Sequence, residues 1–418
     1  MFKQTKIIFI SMLFVFTAIV TLAQQQDLNQ LQAEAKALLD AKEYASALAK
    51  FQIIVTQNPE SSAVPESLYY LGKCYYRLKN SSAAVTTLTT LIQQFPTDSW
   101  GKNAYRLLGY SYSALSRDSE AIAAFQKFIN KNPTSSYCPD AALRSARIIS
   151  RNTTASTTDK LNAFKSVIDN YSNSPEAKEA QLSYGNMLWR ISEEISRRNL
   201  VEKLEKKDET IGYFMNLSQQ YTGDTETQAS AQMQVGALWI EKARLLDKDQ
   251  EPQKRLEYFT QAKTELETLL NKYPDTKPEI VATVKLMLAE ITMFTLEIDS
   301  ALPQYQNLIA VFSSDSSCRR PVCMALYWTA LLVENQGKYA EAIQEYQKVL
   351  DNYGAKDNYL WTNVQAISLY GQYRCYSALG NNIVGAEVLL KLIDRYPDTL
   401  VGQRAKEEIN KITVATAQ

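Results

Sequence analysis

This 418-residue chain contains no histidine, the side chain that most often serves as an acid or base in enzymes. Without histidine, the Ser-His-Asp and Cys-His mechanisms and the HExxH zinc sites are excluded. Catalysis would have to rely on carboxylates, lysine or tyrosine. Lysine and arginine together (45) equal aspartate and glutamate together (45), so no strongly basic surface for nucleic acid is expected. These residue types favour a binding protein over an enzyme.

Five cysteines offer the next possible chemistry, but their number and spacing suit neither a zinc site nor a disulfide framework. Cys74 and Cys375 lie in apolar helical stretches and are predicted to be buried free thiols. Cys318 and Cys323 are close enough in sequence for a local bridge, and the sequence leaves open whether they form one. We predict no metal site and no cofactor.

Carboxylate chemistry remains conceivable, because some folds of paired helices close into a toroid and cleave glycosidic bonds with two carboxylates. This chain lacks the long glycine- and tryptophan-rich loops in which such carboxylates would be mounted. A carbohydrate-binding or glycoside-cleaving α/α toroid is therefore kept as the alternative hypothesis. The main prediction is a protein that is not an enzyme.

The densest run of charge extends from Ser196 to Thr210 and mixes both signs. Its basic residues are Arg197, Arg198, Lys203, Lys206 and Lys207. Because Glu202, Glu205, Asp208 and Glu209 stand between or beside them, the run does not predict a patch for an anionic partner. We expect a solvated helix face instead.

Long amphipathic helices must position any site, since glycine (13) and proline (12) are scarce and apolar residues recur every three or four positions. Pro59, Pro96 and Pro133 close three similar segments at a spacing of 37 residues. A repeat of this length predicts stacked helix pairs. Nine pairs are predicted, at approximately 27–57, 62–95, 98–131, 138–171, 174–220, 225–272, 277–312, 318–352 and 357–396, followed by a capping helix at 399–413.

The first 23 residues have the pattern of a secretory signal. Lys3 and Lys6 precede an apolar run from Ile7 to Val20, and cleavage is expected after Ala23. The run is shorter than the ~20 apolar residues that cross a bilayer. The residue directly after the proposed cleavage site is Gln24 and not a cysteine, so no lipid anchor is expected. We predict an exported protein, periplasmic or peripheral to an outer membrane, with no membrane span once the signal is removed.

The repeated positions resemble the tetratricopeptide repeat (TPR) family. The second pair matches the family pattern at Leu68, Leu71, Gly72, Tyr75, Ala84, Leu88 and Leu91, and the third at Tyr105, Leu108, Gly109, Tyr112, Ala121, Phe125 and Phe128. Pair nine departs from it, with Tyr373 in place of the packing glycine. Turns such as FPTDS, YPDTK and YPDTL resemble periplasmic TPR proteins of the bacterial envelope. Among those are the Tol–Pal-associated coordinator and the repeat lipoprotein of outer-membrane assembly.

This resemblance implies an all-α, right-handed α-solenoid in which the first helix of each pair lines a groove. Together with the signal pattern and the longer period in the middle of the chain, it predicts the division 1–23 signal, 24–199 N-terminal array, 200–276 longer central pairs, and 277–418 C-terminal array with its cap. In the family frame, the groove residues that we predict to bind a partner are Tyr69, Lys73, Tyr76, Arg77, Arg106 and Tyr110. Further groove positions in the same frame are Glu66, Asn103, Ser113, Tyr370 and Arg374.

The function that follows from the resemblance is a non-catalytic interaction scaffold of the cell envelope. Its partners would be other envelope proteins or peptide segments held in the groove, with no nucleic acid. The sequence names neither the partner nor the oligomeric state.

Overall fold

The computed structural model of the chain describes residues 27–295, 298–352 and 359–416, and every regular element within these residues is helical. The predicted signal at 1–23 lies outside the described residues. The chain divides into two compact units, residues 1–187 and 188–418. The division at 24–199, 200–276 and 277–418 stays a prediction from the sequence.

The first unit consists of helix pairs joined by short turns. Its helices are α1 (27–40), α2 (Tyr44–Gln57), α3 (Val64–Arg77), α4 (Ser81–Gln94), α5 (Ser99–Ala114), α6 (Asp118–Lys131), α7 (Cys138–Arg151), α8 (Thr157–Asn170) and the greater part of α9 (Pro175–Glu194). Helices α2, α4 and α6 each end two residues before Pro59, Pro96 or Pro133. Proline ends these helices because it lacks an N–H and restricts the residue before it.

The second unit continues the same alternation with longer helices at its start. They are α10 (Leu200–Gln220), α11 (Thr225–Leu245), α12 (Pro252–Lys272), α13 (Pro278–Thr295), α14 (Ile298–Phe312), α15 (Arg319–Asn335), α16 (Tyr339–Asn352), α17 (Tyr359–Ala378), α18 (Asn382–Arg395) and α19 (Leu400–Thr416). The all-α fold of nine helix pairs and a final helix is thus confirmed over the described residues. The handedness stays a prediction.

The turn inside each of the first three pairs passes through one residue with left-handed backbone geometry. These residues are Lys42, Lys79 and Ser116, with φ of 63°, 64° and 57°, and they too are spaced 37 positions apart. In two later pairs the corresponding turn contains Gly337 or Gly380, with φ of 75° and 74°. A left-handed residue lets the first helix end and the chain reverse, and only glycine adopts it without steric cost.

Three pairs are held together where a glycine on the first helix meets a buried side chain of the second. A Cβ atom added to the glycine would lie within 2.7 Å of that side chain, for Gly72 against Leu88, Gly109 against Phe125 and Gly236 against Leu266. Real Cβ atoms do not approach so closely, so the two helices can be this near each other only with glycine. The packing role that the repeat pattern assigned to Gly72 and Gly109 is confirmed.

Pair nine departs from this contact. Tyr373 stands where Gly72 and Gly109 stand in the earlier pairs, and Leu389, the counterpart of Leu88 and Phe125, is buried. Gly385 on α18 occupies the position of an alanine in those pairs, and an added Cβ there would lie at an ordinary van der Waals distance of 3.5 Å from the ring of Tyr373.

First helices of consecutive pairs contact one another directly. Such contacts join α3 with α5 in the first unit, and α11, α13, α15 and α17 in succession in the second. In each unit these helices form one face, which we call the inner face. Side chains that point outward from it are those available to a partner.

The charged run near residue 200 is the solvated face expected from the sequence except at Lys203 and Lys207. Lys207 is fully buried and Lys203 is 4% exposed. The Lys207 ammonium contacts the carboxylates of Glu193 and Glu241, the latter at 2.6 Å. Trp189 donates its indole N–H to the same Glu241 oxygen at 2.7 Å. The expectation was wrong for these two lysines because the neutralising carboxylates come from other helices, so burial does not leave the lysines unpaired.

All five cysteines are buried free thiols. The prediction for Cys74 and Cys375 is confirmed, and the bridge left open between Cys318 and Cys323 is not formed. Cys323 lies five positions after Cys318, in helix α15, a spacing that places the two side chains on different sides of the helix.

No helix within the described residues is long and apolar enough to cross a membrane.

Glycine substitutions with opposite expected effects test the packing of the pairs. In Gly109→Ala, the new methyl group would overlap the buried Phe125 ring, and overpacking of this kind costs about 1–3 kcal/mol of unfolding free energy. In Gly212→Ala, the methyl group meets nothing within 4 Å and the change stabilises helix α10 by about 0.5–1 kcal/mol. Thermal unfolding followed by circular dichroism measures both. A stable Gly109→Ala variant would contradict the close approach.

Removing one buried lysine tests the charged cluster. Lys207→Met leaves Glu193 and Glu241 without their shared cation, and we expect the unfolding free energy in urea to fall by about 3 kcal/mol. Lys206→Met, one residue earlier, removes only a pair with Glu209 at the surface and should cost less than about 1 kcal/mol. Equal effects of the two substitutions would show that burial of Lys207 adds nothing.

Candidate functional site

The six predicted groove residues lie around one small cavity on the inner face of the first unit. Helix α3 contributes Tyr69, Lys73, Tyr76 and Arg77, and helix α5 contributes Arg106 and Tyr110; the cavity has a volume of about 120 Å³. The spacing of three and four positions places Tyr69, Lys73 and Tyr76 on the same side of α3. The family frame therefore brings together side chains that are up to 41 positions apart in the chain.

Aromatic rings form the walls of this cavity. The rings of Tyr76 and Tyr110 lie 6.1 Å apart between their centroids, and Tyr69 lies 5.1 Å from the ring of Trp100. All three tyrosines are half-buried. Each of these tyrosines therefore packs between repeats with one part of its side chain and lines the cavity with another. Burial raises the pKa of the Tyr69 hydroxyl, which is neutral at physiological pH.

Two of the predicted residues are already engaged by a carboxylate from the next pair. The Tyr110 hydroxyl donates a hydrogen bond to Asp140, and an Arg106 guanidinium nitrogen lies 3.6 Å from the same carboxylate. Burial and the hydrogen bond to Asp140 raise the pKa of Tyr110 to about 12. The guanidinium of Arg106 also lies 3.9 Å from the centre of the Tyr137 ring. Arg106 and Tyr110 therefore join pair three to pair four.

The remaining polar positions of the inner face include further links between pairs. Glu66 forms a 2.8 Å ion pair with Lys36 of the first helix pair, and Arg147 forms an ion pair with Glu179. These contacts, with Asp140, connect successive first helices along the first unit. Several predicted groove positions thus serve the stacking of the repeats.

Lys73 and Arg77 are different, because neither forms an ion pair with any residue that the structure describes. The Lys73 ammonium lies 5.8 Å from the centre of the Tyr70 ring, and Arg77 is exposed. Two unpaired cations thus stand four positions apart at a cavity walled by tyrosine. This arrangement can receive a carboxylate and the apolar part of the segment that carries it.

Sequence reasoning missed Asp140 and Tyr137, which complete the surroundings of Arg106. For Asp140 a signal existed, since it lies one 37-residue period after Asn103, which was already placed at a groove position. Tyr137 belongs to the turn before α7, where the helix frame makes no prediction. In pair nine, the predicted groove residues Tyr370 and Arg374 are engaged by other parts of the chain or buried. Arg374 donates two hydrogen bonds of 2.7 Å to Glu334, and Tyr370 is 7% exposed.

Comparison with protein-family models gives two matches. Residues 24–200 match a model described as YfiO, outer membrane lipoprotein, and residues 286–357 match a tetratricopeptide repeat model. A comparison with curated proteins finds no match. The first match covers the whole first unit apart from its beginning and includes all six predicted groove residues.

Solved structures with a similar arrangement of helices are also TPR proteins. One, from Parabacteroides merdae, is 12% identical, covers 72% of this chain and 99% of its own, and has a TM-score of 0.37. Another, the C-terminal part of a TPR protein from Cytophaga hutchinsonii, is 12% identical, covers 70% of this chain and 99% of its own, and has a TM-score of 0.43. At these values neither likeness supports a statement about function.

The paired helices, the glycine contacts within the pairs and the two family matches agree with one another. TPR repeats together with a YfiO-like region suggest a protein-interaction scaffold of the cell envelope. The chain contains tetratricopeptide repeats, matched by that family's model at residues 286–357, and its residues 24–200 are similar to the YfiO family of outer membrane lipoproteins.

Proposed function

We propose that this protein is a non-catalytic scaffold of the cell envelope that binds an acidic segment of another envelope protein on the inner face of its first unit. The observation that supports this most directly is the pair of unpaired cations, Lys73 and Arg77, at the tyrosine-walled cavity. The segment would lie across α3 and α5, with a carboxylate near the cations and an apolar side chain against Tyr69 and Tyr76.

The roles of the six residues differ in this proposal. Lys73, Arg77 and Tyr76 contact the partner, because their polar groups have no carboxylate partner among the described residues. Arg106 and Tyr110 hold the wall of the cavity, because Asp140 engages both. Central aromatic and cationic side chains of this kind carry most of the binding energy in protein interfaces. Rim charges mainly affect the association rate and its dependence on salt.

The test is a double substitution that removes both cations and leaves the tyrosine walls intact. Envelope proteins retained by the immobilised mature chain are identified by mass spectrometry, and the recovered partner is purified. We expect Lys73→Gln with Arg77→Gln to weaken its binding by about 2 kcal/mol, or roughly thirtyfold, because two charge-assisted contacts are lost. Isothermal titration calorimetry measures the dissociation constant, and unfolding temperature confirms that the fold is unchanged.

The control is Lys42→Gln with Lys131→Gln, which removes two positive charges of the same unit away from the cavity. The control should bind as the parent does. Equal weakening by both double variants would mean that net charge, not the cavity, controls binding. A partner that binds all variants alike would place the binding surface elsewhere and contradict the proposal.

A further inference from the structure

The first unit has a further cavity that lies away from the predicted groove. It is lined by the last turns of the second helices α2 and α4, by the turn at residues 58–63 and by the first turns of α3, and its volume is about 400 Å³. We call it the edge cavity. None of the six predicted groove residues lines it. Its size lies within the roughly 300–1,000 Å³ that is usual for sites of small organic molecules.

Two short side chains account for this space, as the 37-residue repeat shows. Leu68 and Thr90 line the edge cavity. One period later, the same positions are occupied by Tyr105 and Lys127, and the Lys127 ammonium lies 5.8 Å from the centre of the Tyr105 ring. At that interval the chain itself supplies an aromatic ring with a cation beside it. The edge cavity is open where those two groups would stand, so an occupant with the same two features would fit it.

The walls of the edge cavity are apolar. Val55 comes from α2, Val64 and Leu68 come from α3, and the half-buried Phe95 follows the end of α4. A cavity of about 150 Å³ holds benzene, so about 400 Å³ accommodates a body of about two rings. Packing such a body against these walls removes apolar surface from water, which is favourable.

The polar groups at the edge cavity suit a positively charged donor. Glu60, in the turn, forms no ion pair with any residue that the structure describes, and no lysine or arginine is among the described residues of the lining. Thr90 and Gln94 lie one turn apart on α4. The Thr90 hydroxyl donates to the carbonyl oxygen of Thr86 at 3.1 Å, so its own oxygen is left to accept. An ammonium group has three donors and no acceptor, whereas an anion would be repelled by Glu60.

We propose that the edge cavity binds a small organic amine that is protonated at neutral pH and whose apolar body has about two rings. The rings would pack against the apolar walls, and the ammonium would lie beside Glu60 and the side-chain oxygens of Thr90 and Gln94. This site is separate from the one proposed for an acidic segment, because it lies on other residues and selects a ligand of opposite charge.

Tryptamine and indole-3-propionate are suitable probes, because they share a two-ring body and a two-carbon linker and carry opposite charges. Ligand-observed NMR titrations with the full mature chain give both dissociation constants. We expect tryptamine to bind at least tenfold more tightly than indole-3-propionate, because only the amine complements Glu60. Equal affinities, or no binding of tryptamine, would overturn the proposal.

Two variants test the charge and the space of the cavity separately. Glu60→Gln removes the charge and should weaken tryptamine binding about tenfold, the loss expected for one charge-assisted hydrogen bond. Leu68→Tyr with Thr90→Lys gives the first interval the side chains of the second, so the cavity is filled and tryptamine binding should be lost. Thermal unfolding followed by circular dichroism shows whether each variant folds, and if the double variant does not, Glu60→Gln alone decides. Unchanged binding in a folded variant would contradict the site.

The matched control is Glu43→Gln, which removes an exposed carboxylate of the same unit that does not line the edge cavity. Tryptamine should bind this variant, and also Lys73→Gln with Arg77→Gln, as it binds the parent. The two proposals can therefore fail separately. Equal weakening by Glu43→Gln and Glu60→Gln would mean that the amine is attracted by surface charge in general, and this result would overturn the site.

Discussion

The close approach of two helices within each pair is the constraint on which the rest of the structure depends. At Gly72 and Gly109 the second helix presses a buried Leu88 or Phe125 side chain against bare backbone. This contact occurs in three pairs and sets how near the two helices come there. Both pairs that carry the six predicted groove residues have it.

Polar side chains on the inner face of the first unit are used for stacking where a carboxylate of a neighbouring pair reaches them. Asp140 supplies such a contact by engaging both Arg106 and Tyr110. Lys73 and Arg77 are left unengaged because no carboxylate of the described residues reaches them. The location of acidic residues on neighbouring helices thus decides which groups are left for the partner binding that we propose.

In the second unit, a buried charge is stabilised by ion pairs with neighbouring helices. The long helices α10 and α11 place Lys207 in the interior, where an unpaired ammonium would be strongly unfavourable. The carboxylates of Glu193 and Glu241 and the indole of Trp189 surround it and share the polar contacts. Glu241 also lines a groove across α11, α13 and α15.

The sequence alone determined the features that depend on local period, namely the helix pairs and their ends before Pro59, Pro96 and Pro133. The convergence of the six groove residues was implied by the resemblance to the repeat family. A 37-residue repeat carries this information because each pair copies the geometry of the one before. Tertiary structure alone decided which residues are engaged across pairs. Lys207 is buried by partners 14 and 34 positions away, which no local pattern reveals. The groove across α11, α13 and α15 could not be predicted for a similar reason, because its lining residues come from different helix pairs.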